Sequence, residues 1–351
     1  MNSEAMAHPP LTHEQIRALI DRVPRVLLTP LPTPLQECPR LAAALGGPRI
    51  FMKRDDLTGL AFGGNKTRNL EFRMAEARDL GVDVFIAGLE AQSNSARQTT
   101  AAANVLGMKP VLVLRIDRDW GWQGNLLVDL VLGAEIRFLE SNDPAEMDRT
   151  LRAVAEEYRR LGHRPYVMNH AGAFALGSAL AYVLSTLETL EQMAALGARP
   201  DYLYMSSGSK GQAGLELARR MLGAGFQVIG VSAALKPGRL EETARIANEA
   251  AQRLGVAVEI RPEEIVNLDE YAAPGYGKVS EAGLEAIRLV ARTEGIMLDP
   301  IYTGKAMAGL VDHVRHGRLS RDDTVVFIHT GGLPALFAYK DEIAHYMSNS
   351  R

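Results

Sequence analysis

Residues 63–68 read Gly-Gly-Asn-Lys-Thr-Arg and place Lys66 directly after a sharp turn. Two adjacent glycines let the backbone adopt conformations that other residues avoid. A helical pattern begins at the lysine, so its amine lies beside the free N–H groups of a helix N-terminus, where an anion is favoured. A desolvated lysine amine is a nucleophile for an aldehyde. A lone lysine in this setting is usually an exposed helix residue, so the other segments must decide.

Four further segments hold small or polar residues of the kind that bind ligands. Residues 90–95 and 206–214 each follow a predicted strand, and doubly wound sheets bind ligands at the carboxyl ends of their strands. The others are residues 298–305 and 329–332. The small residues of 206–214 lead into a predicted helix, so their N–H groups and hydroxyls suit a phosphate. The Walker ending and the dinucleotide glycine pattern are missing, and an ordinary strand–helix turn is the alternative.

Polar side chains in these segments have simpler explanations when each is taken alone. Ser93 and Asn94 suit a helix N-cap, which needs no ligand. Tyr276, in a loop rich in glycine and alanine, and Tyr302 suit packing with a hydrogen-bonded hydroxyl. Aromatic residues on a loop also suit a site that faces a cleft. The combination of segments therefore carries more information than any one residue.

Apolar, β-branched runs alternate with helical patterns along the chain. The predicted strands are residues 49–53, 82–87, 110–115, 135–139, 202–206, 227–231 and 325–329. Ala- and Leu-rich segments with helical spacing lie between them, which is typical of parallel strands joined by helices in right-handed crossovers. A long apolar stretch at residues 175–196 predicts a buried helix that links two lobes.

Composition limits the function further. The 351 residues exceed the usual ~100–200 of one domain, which favours two lobes. Hydrophobic residues at 47%, charged residues at 23% and a net charge of −3 indicate a soluble enzyme rather than a nucleic-acid binder. A single cysteine, no apolar run of ~18 residues and a start without a signal region favour the cytoplasm and no membrane partner. His313 and His316 share a helix face without other ligand-type neighbours, so we expect no metal site.

The same motifs occur in the same order in one known family. They are Gly-Gly-Asn-Lys-Thr-Arg at 63–68, Gln-Ser-Asn at 92–94, Arg-Gln-Thr at 97–99, Gly-Asn-Leu-Leu at 124–127, Gln-Ala-Gly-Leu at 212–215, Pro-Gly-Tyr at 274–276, Asp-Pro-Ile-Tyr-Thr-Gly-Lys-Ala-Met at 299–307 and His-Thr-Gly-Gly at 329–332. The chain thus resembles the pyridoxal 5′-phosphate (PLP)-dependent D-cysteine desulfhydrase and 1-aminocyclopropane-1-carboxylate (ACC) deaminase family. That family belongs to the tryptophan synthase β-like, fold-type II group.

The resemblance implies an α/β fold of two lobes, each a mostly parallel twisted sheet flanked by helices, with PLP in the cleft between them. It implies a large PLP-binding domain of residues 1–67 and 176–351 and a small domain of residues 68–175. The expected substrate is a small amino acid, and a homodimer is the family's habit.

The resemblance also implies roles for four catalytic residues. Lys66 matches the lysine that holds PLP as a Schiff base and moves protons at the substrate carbon. Ser93 matches a residue that contacts the substrate carboxylate or acts as base or nucleophile. Tyr276 and Tyr302 match tyrosines on the substrate side of the ring. The cofactor supplies the chemistry, and the protein positions and tunes it.

A second set of positions matches the family's cofactor contacts. Asn94 matches the residue bonded to the phenolic oxygen, and Thr303 matches the position that faces the pyridine nitrogen. A neutral hydroxyl there leaves the nitrogen largely unprotonated, which makes the ring a milder electron sink and goes with eliminations in this fold group. The expected cofactor-binding residues are Asn65, Lys66, Asn94, Ser207, Gly208, Ser209, Lys210, Gly211 and Thr303.

The chain departs from the family pattern near the phosphate. Family members commonly have a second lysine after Lys-Thr-Arg, and Asn69 stands there instead. Their phosphate loop usually has Gly or Ser and then Thr before the Gln/His-Ala-Gly, where this chain has Lys210 and Gly211. We hypothesise that Lys210 replaces the lost cation, because a phosphate dianion favours a nearby lysine. The alternative is that Lys210 points to solvent.

Two departures concern the substrate. Ser95 follows the Ser-Asn pair where the family has His or Gln, and Phe174 adds bulk to a stretch, residues 169–174, that is polar in the family. His170 is either an added polar group in the pocket or a surface residue. The expected reaction is α,β-elimination on D-cysteine, giving pyruvate, ammonia and sulfide. The alternatives are ACC deaminase, cysteate sulfo-lyase, a lyase for another polar amino acid, and a non-enzyme that binds PLP or a small molecule.

Overall fold

We describe the fold from a computed structural model for residues 9–168 and 173–349, and for the side chains of these residues except 173 and 174. The strands are β1 Leu35–Glu37, β2 Arg49–Lys53, β3 Val84–Glu90, β4 Lys109–Arg115, β5 Glu135–Leu139, β6 Pro165–Val167, β7 Tyr202–Ser207, β8 Gln227–Ser232, β9 Val266–Leu268 and β10 Thr324–Ile328. The α-helices are α1 His13–Ile20, α2 Pro39–Leu45, α3 Lys66–Asp79, α4 Asn94–Val105, α5 Gly124–Val131, α6 Pro144–Arg160, α7 Ala173–Ala195, α8 Lys210–Leu222, α9 Arg239–Leu254, α10 Glu281–Glu294, α11 Thr303–Arg315, α12 Leu333–Ala338 and α13 Lys340–Asn349.

These strands form two sheets. One has six strands in the order β1-β2-β10-β7-β8-β9, and all its pairs are parallel except β1 with β2. The other has four parallel strands in the order β5-β4-β3-β6. The expected α/β architecture of two mostly parallel sheets is confirmed. The four-stranded sheet lies within the predicted small domain, and the exact domain boundaries stay a prediction.

All seven predicted strands are present, because each is a short apolar run between turn signals. The central strand β10 shows why: four of its five residues are buried, as expected for a parallel strand covered on both faces. Sequence reasoning missed β1, β6 and β9, which have three residues each. A run of three residues is too short to show a periodic pattern.

The long helix α7 is the buried helix predicted at residues 175–196, and it packs against α3, α8 and α9. Leu180, Val183 and Leu187 of α7 are at most 2% exposed. Burying each such side chain stabilises the fold by about 1.5–3 kcal/mol. Although α7 has 23 residues, neither it nor any other described helix has the apolar length needed to cross a membrane. The packing holds α3, which begins at Lys66, between α7 and the four-stranded sheet.

Four buried charges also hold the start of α3. Arg68 Nη2 donates to Asp55 Oδ1 at 2.8 Å and to Glu188 Oε1 at 3.0 Å. Lys53 Nζ, from β2, donates to the same Glu188 carboxylate. Two positive and two negative side chains thus neutralise one another, which a buried charge requires. The arginine of the Gly-Gly-Asn-Lys-Thr-Arg motif is therefore a structural residue.

Candidate active site

A cavity of about 350 Å³ is lined by residues that follow the carboxyl ends of β3, β7, β8 and β10. All five segments singled out in the sequence contribute to its wall, as parallel strands require. The lining residues from these segments, from the first turn of α3 and from the loop of Tyr276 are Asn65, Lys66, Asn69, Ser93, Asn94, Ser95, Ser206, Ser207, Gly208, Lys210, Gly211, Tyr276, Tyr302, Thr330 and Gly331.

The turn before Lys66 needs both of its glycines. Gly63 has φ +66°, and a Cβ there would lie 2.1 Å from the backbone oxygen of Asp56. A Cβ on Gly64 would lie 2.5 Å from the side-chain nitrogen of Gln98. Arg97 fixes the turn from α4, since its Nη1 donates to the carbonyl of Gly63 at 3.1 Å. Only a chain without side chains at these positions can bring Lys66 into the cavity.

Lys66 is half-buried, and its amine is weakly hydrogen-bonded. Within the described residues, its Nζ donates only to Asn65 Oδ1, at 3.1 Å. Burial lowers the pKa of Lys66 to about 8, the charge of Lys210 adds to that shift, and Asp299 opposes it. A lysine with a lowered pKa and a poorly satisfied amine is the form that reacts with carbonyl groups.

One end of the cavity suits a phosphate. Helix α8 begins there at Lys210, and the first N–H groups of a helix have no intrahelical partners. Ser207 orients the loop: its Oγ donates to Gln212 Oε1 at 2.6 Å and accepts from the N–H of Ser209 at 3.3 Å. Burial lowers the pKa of Lys210 to about 8, so an anion nearby would favour its charged form.

The cavity wall also includes the Ser-Asn pair at the start of α4. Ser93 Oγ accepts from the N–H groups of Ser95 and Ala96 at 3.1 and 3.3 Å, which is the N-cap arrangement expected of it. Asn125 Nδ2 donates to Asn94 Oδ1 at 2.9 Å. Because that bond uses the Asn94 oxygen, the Asn94 amide nitrogen is left as the group that can donate into the cavity.

Two tyrosines close the same wall. The hydroxyls of Tyr276 and Tyr302 are 2.6 Å apart, and burial raises the pKa of each phenol. Both therefore stay protonated at neutral pH. The N–H of Tyr302 donates to Asp299 Oδ2 at 2.9 Å, which fixes the start of α11. Sequence reasoning did not give Asp299 a role, although Asp before Pro is a known signal for a side-chain-capped turn.

Two predicted cofactor residues lie outside the cavity wall. Ser209 is fully buried with φ +79° at the start of α8. Thr303 Oγ1 donates to Asp299 Oδ1 at 2.7 Å and accepts from the Asp299 N–H at 2.8 Å. Its hydroxyl proton is thus committed to Asp299, and a contact with a ring nitrogen stays a prediction. The predictions on residues 169–174, including His170 and Phe174, lie outside the described side chains.

Other wall residues were missed in the sequence. Ala233, Ala234, Lys236 and Arg239 follow β8, and their place after a predicted strand was the available signal. Arg239 Nη1 donates to the carbonyl of Ser207 at 3.2 Å and so supports the phosphate-type loop. In the described part of the chain, the titratable side chains form no group of three that could hold a metal ion.

Comparison with known proteins decides the family. The model of the family described as "Pyridoxal-phosphate dependent enzyme" matches residues 26–331. The chain belongs to this family. This PLP-dependent enzyme is 39% identical over 337 residues to a protein of Pyrococcus horikoshii named "Putative 1-aminocyclopropane-1-carboxylate deaminase", covering 94% of the chain and 98% of that relative. It is 38% identical over 330 residues to the D-cysteine desulfhydrase of Salmonella paratyphi C, covering 92% and 98%.

Solved structures agree with the fold of this PLP-dependent enzyme. A crystal structure of an ACC deaminase homologue superposes with a TM-score of 0.85 at 36% identity, covering 95% of this chain and all of the other. The processed form of threonine deaminase isoform 2 from Solanum lycopersicum gives 0.64 at 14% identity, covering 99% and 93%, and shares the fold. The expected family, cofactor and fold-type II architecture are confirmed.

Proposed function

We propose that this PLP-dependent enzyme is a lyase or deaminase that acts on small amino acids, with α,β-elimination of D-cysteine as its preferred reaction. The main support for this proposal is that the Lys66 amine and the Tyr276–Tyr302 hydroxyl pair line the same cavity. This places a group that can accept a proton and a pair that can donate one around one small volume. Such acid–base groups each contribute about 10²–10⁴-fold to a rate.

The wall of the cavity fits PLP. When bound, PLP supplies an aldehyde that joins amino groups covalently and a ring that accepts the electrons left on the substrate carbon. Lys66 would hold the aldehyde, the N-terminus of α8 and Lys210 would hold the phosphate, and the amide nitrogen of Asn94 would donate to the phenolic oxygen. Each role matches a feature given above: a poorly satisfied amine, a helix N-terminus with a cation, and a fixed amide.

Lys66 would move the proton at the substrate carbon. As a free amine, Lys66 has a pKa of about 8 rather than the ordinary 10.5. A fraction of it is therefore neutral at physiological pH and able to accept a proton. No acidic side chain lies among the described residues that line the cavity.

Ser93 would bind the substrate carboxylate. Its oxygen already accepts two backbone N–H bonds, which leaves its own proton to donate. The N-terminus of α4 adds a favourable field for an anion at the same place. This supports the carboxylate contact among the roles that the family allows, and it argues against Ser93 as a base or nucleophile.

The tyrosine pair would protonate the leaving group. One hydroxyl donates to the other, so a single proton remains for a third group. Because the pKa of both phenols is raised, both hydroxyls stay protonated and the pair can act as a general acid. A thiolate that leaves the β-carbon would take this proton and depart as hydrogen sulfide.

The reaction would convert D-cysteine and water to pyruvate, ammonia and hydrogen sulfide. ACC deamination is the second candidate, since relatives at 39% and 38% identity carry the two different names. The two reactions give different products, because ring opening of ACC keeps four carbons and yields 2-oxobutyrate. L-Cysteate and D-serine extend the same elimination to other leaving groups.

Two measurements test the proposal. Protein purified with PLP should absorb in the visible, and borohydride should reduce the C=N bond and fix the cofactor on Lys66 in a peptide map. Keto-acid release from D-cysteine, ACC, L-cysteate and D-serine then identifies the reaction, with pyruvate from D-cysteine expected. Protein that stays colourless with PLP would refute the cofactor site, whereas coloured protein inert toward all four would refute the substrate class.

We also infer the domain division, the oligomeric state and the cellular compartment from the family and the chain. The division into residues 1–67 with 176–351 and residues 68–175 is supported by the two sheets, and limited proteolysis at the two junctions tests it. A homodimer is expected in light scattering. The buried, single Cys38 suits a reducing cytoplasm, which fractionation of the source cell would check.

A further inference from the structure

A second cavity of about 290 Å³ adjoins the cofactor cavity. The two share Asn94, Tyr276 and Tyr302 as a common wall. We call the second cavity the outer chamber. Its remaining lining residues are Glu90, Ala91, Gln92, Arg115, Asp117, Trp120, Asn142, Gly277, Ile301, Ala335 and Tyr339. None of these residues belongs to the phosphate-type end, so the outer chamber lies on the tyrosine side of the site.

The outer chamber also connects toward the surface. An open groove of about 590 Å³ shares Asp117 and Trp120 with it. The order is therefore surface groove, outer chamber, tyrosine pair and cofactor cavity. Each neighbour shares wall residues with the next, as the stages of one route would.

Charged groups of both signs meet in the outer chamber. Arg115 Nε donates to the carbonyl of Ser141 at 2.7 Å, and its Nη1 donates to Glu90 Oε1 at 2.9 Å. Trp120 Nε1 donates to Asp117 Oδ1 at 3.1 Å. Within the described residues, Arg115 Nη2, Glu90 Oε2 and Asp117 Oδ2 make no hydrogen bond. One guanidinium nitrogen, Nη2, and two carboxylate oxygens thus remain available in a volume that suits a small molecule. A zwitterionic amino acid carries the complementary pair, a carboxylate and an ammonium group.

Tyr276 separates the outer chamber from the cofactor cavity. It lies between Gly275 and Gly277, whose carbonyls accept from Lys305 Nζ at 2.8 Å and from the Tyr339 hydroxyl at 2.9 Å. The backbone on either side is therefore held, while Tyr276 itself is 48% exposed. Rotation of its ring, with loss of the hydrogen bond between its hydroxyl and that of Tyr302, is a movement that would join the two cavities.

We propose that the outer chamber is a binding site that captures the zwitterionic amino-acid substrate, with Arg115 on its carboxylate and Glu90 and Asp117 on its ammonium group, before it passes Tyr276 to the cofactor. This rests on the proposed function, because it needs a PLP-loaded Lys66 beyond the tyrosines. Arg115 is a substrate-recognition residue here and takes no part in bond making.

Two probes of different charge test the proposal without turnover. Aminooxyacetate and hydroxylamine both exchange the C=N bond to Lys66 for a C=N bond to the probe, which releases Lys66 as a free amine and changes the absorbance of the holoenzyme. Aminooxyacetate carries a carboxylate, and hydroxylamine does not. The second-order rate of each absorbance change, followed by stopped flow, reports passage of the probe to the cofactor.

Arg115→Gln should lower the second-order rate with aminooxyacetate about tenfold, which is the effect of losing one charge-assisted hydrogen bond. The rate with hydroxylamine should be unchanged. Glu90→Gln should instead raise the rate of aminooxyacetate, because it frees Arg115 from its ion pair and removes a negative charge that repels the probe. Both effects should shrink at high salt. Arg149→Gln is the matched control, since Arg149 is 65% exposed by its side chain and lies on α6 outside the chamber.

Asn142→Trp gives an independent steric test. Asn142 is exposed at the chamber wall, and the added ring should slow both probes. Equal rates in Arg115→Gln, Asn142→Trp and the control would overturn the proposal, as would an Arg115→Gln effect of the same size on both probes. Wild-type protein without a PLP chromophore would instead refute the proposed function, and the capture site with it.

Discussion

Lys53 is fully buried and Lys66 is half-buried in the cavity wall, and they differ in what surrounds the amine. Lys53 Nζ donates to the carbonyl of Thr33 at 2.8 Å, to Gln192 Oε1 at 2.6 Å and to the Glu188 carboxylate. Lys66 Nζ has Asn65 Oδ1 alone among the described residues, and it lines a cavity. The Lys53 amine uses all its N–H groups in hydrogen bonds within the fold, whereas the Lys66 amine has N–H groups without a partner among the described residues.

The difference shows which property marks a reactive lysine. A lowered pKa is insufficient, because burial lowers the pKa of Lys305 to about 8 as well. Lys305 Nζ donates to the carbonyls of Ala233, Ala272 and Gly275 and has no capacity left. A buried amine short of partners is costly to the fold, and such a cost persists where function needs it.

The largest expected effect separates Lys66 from the structural lysines. Lys66→Ala should reduce keto-acid formation by more than the ~10²–10⁴-fold of one acid–base group, because Lys66 both anchors the cofactor and moves the proton. The melting temperature of the cofactor-free variant should match or exceed wild type, because a poorly solvated amine is removed. A large fall in that melting temperature would contradict the comparison.

Lys53→Met should show the reverse pattern. It leaves Glu188 buried without its lysine partner, and breaking a buried ion cluster costs about 3–5 kcal/mol of unfolding free energy. Lys109→Met is the control, because the Lys109–Glu135 pair is half-exposed and worth at most about 1 kcal/mol. Urea denaturation of all three proteins measures this. Similar losses in the two variants would show that the buried cluster is not special.

The contrast between the lysines also shows how much of the fold and of the site could be predicted from the sequence. Seven strands and the meeting of five segments followed from apolar runs and from the rule that parallel strands end at one edge. Apart from the glycine turn and the family motif that contains it, nothing in the sequence distinguishes the hydrogen-bonded Lys53 from Lys66. Two of the partners of Lys53, Glu188 and Gln192, lie more than 130 positions away, and such contacts exist only in the fold. The hydrogen bond from Asn125 to Asn94 likewise exists only in the fold.

A smaller effect concerns the cation at the phosphate end. Lys210→Gln should weaken PLP binding about 10–100-fold, because a charge-assisted hydrogen bond is worth about 1.5–3 kcal/mol. Pyridoxal, which lacks the phosphate, should bind both proteins equally. Spectroscopic titration of the cofactor-free protein with each compound measures both affinities.

Lys236→Gln is the matched comparison for Lys210→Gln. Lys236 lines the same cavity but is half-exposed and pairs with Glu242 at 2.6 Å, so its loss should cost little PLP affinity. If Lys236→Gln weakened PLP binding while Lys210→Gln did not, the phosphate cation would be Lys236. An equal loss of PLP and pyridoxal affinity in Lys210→Gln would indicate a general disturbance of the site.

The smallest expected effect is on the pH dependence of Lys66. Only a neutral amine attacks an aldehyde, and burial lowers the Lys66 pKa to about 8, so capture of pyridoxal should rise with pH around 8 instead of around the ordinary 10.5. Pyridoxal avoids the phosphate contribution. Because the charge of Lys210 lowers the Lys66 pKa further, Lys210→Gln should move the midpoint upward by less than about one unit, about 1.4 kcal/mol, and Lys236→Gln should leave it in place. A wild-type midpoint near 10.5 would mean that the amine is hydrated, and the difference between Lys66 and an exposed lysine would disappear.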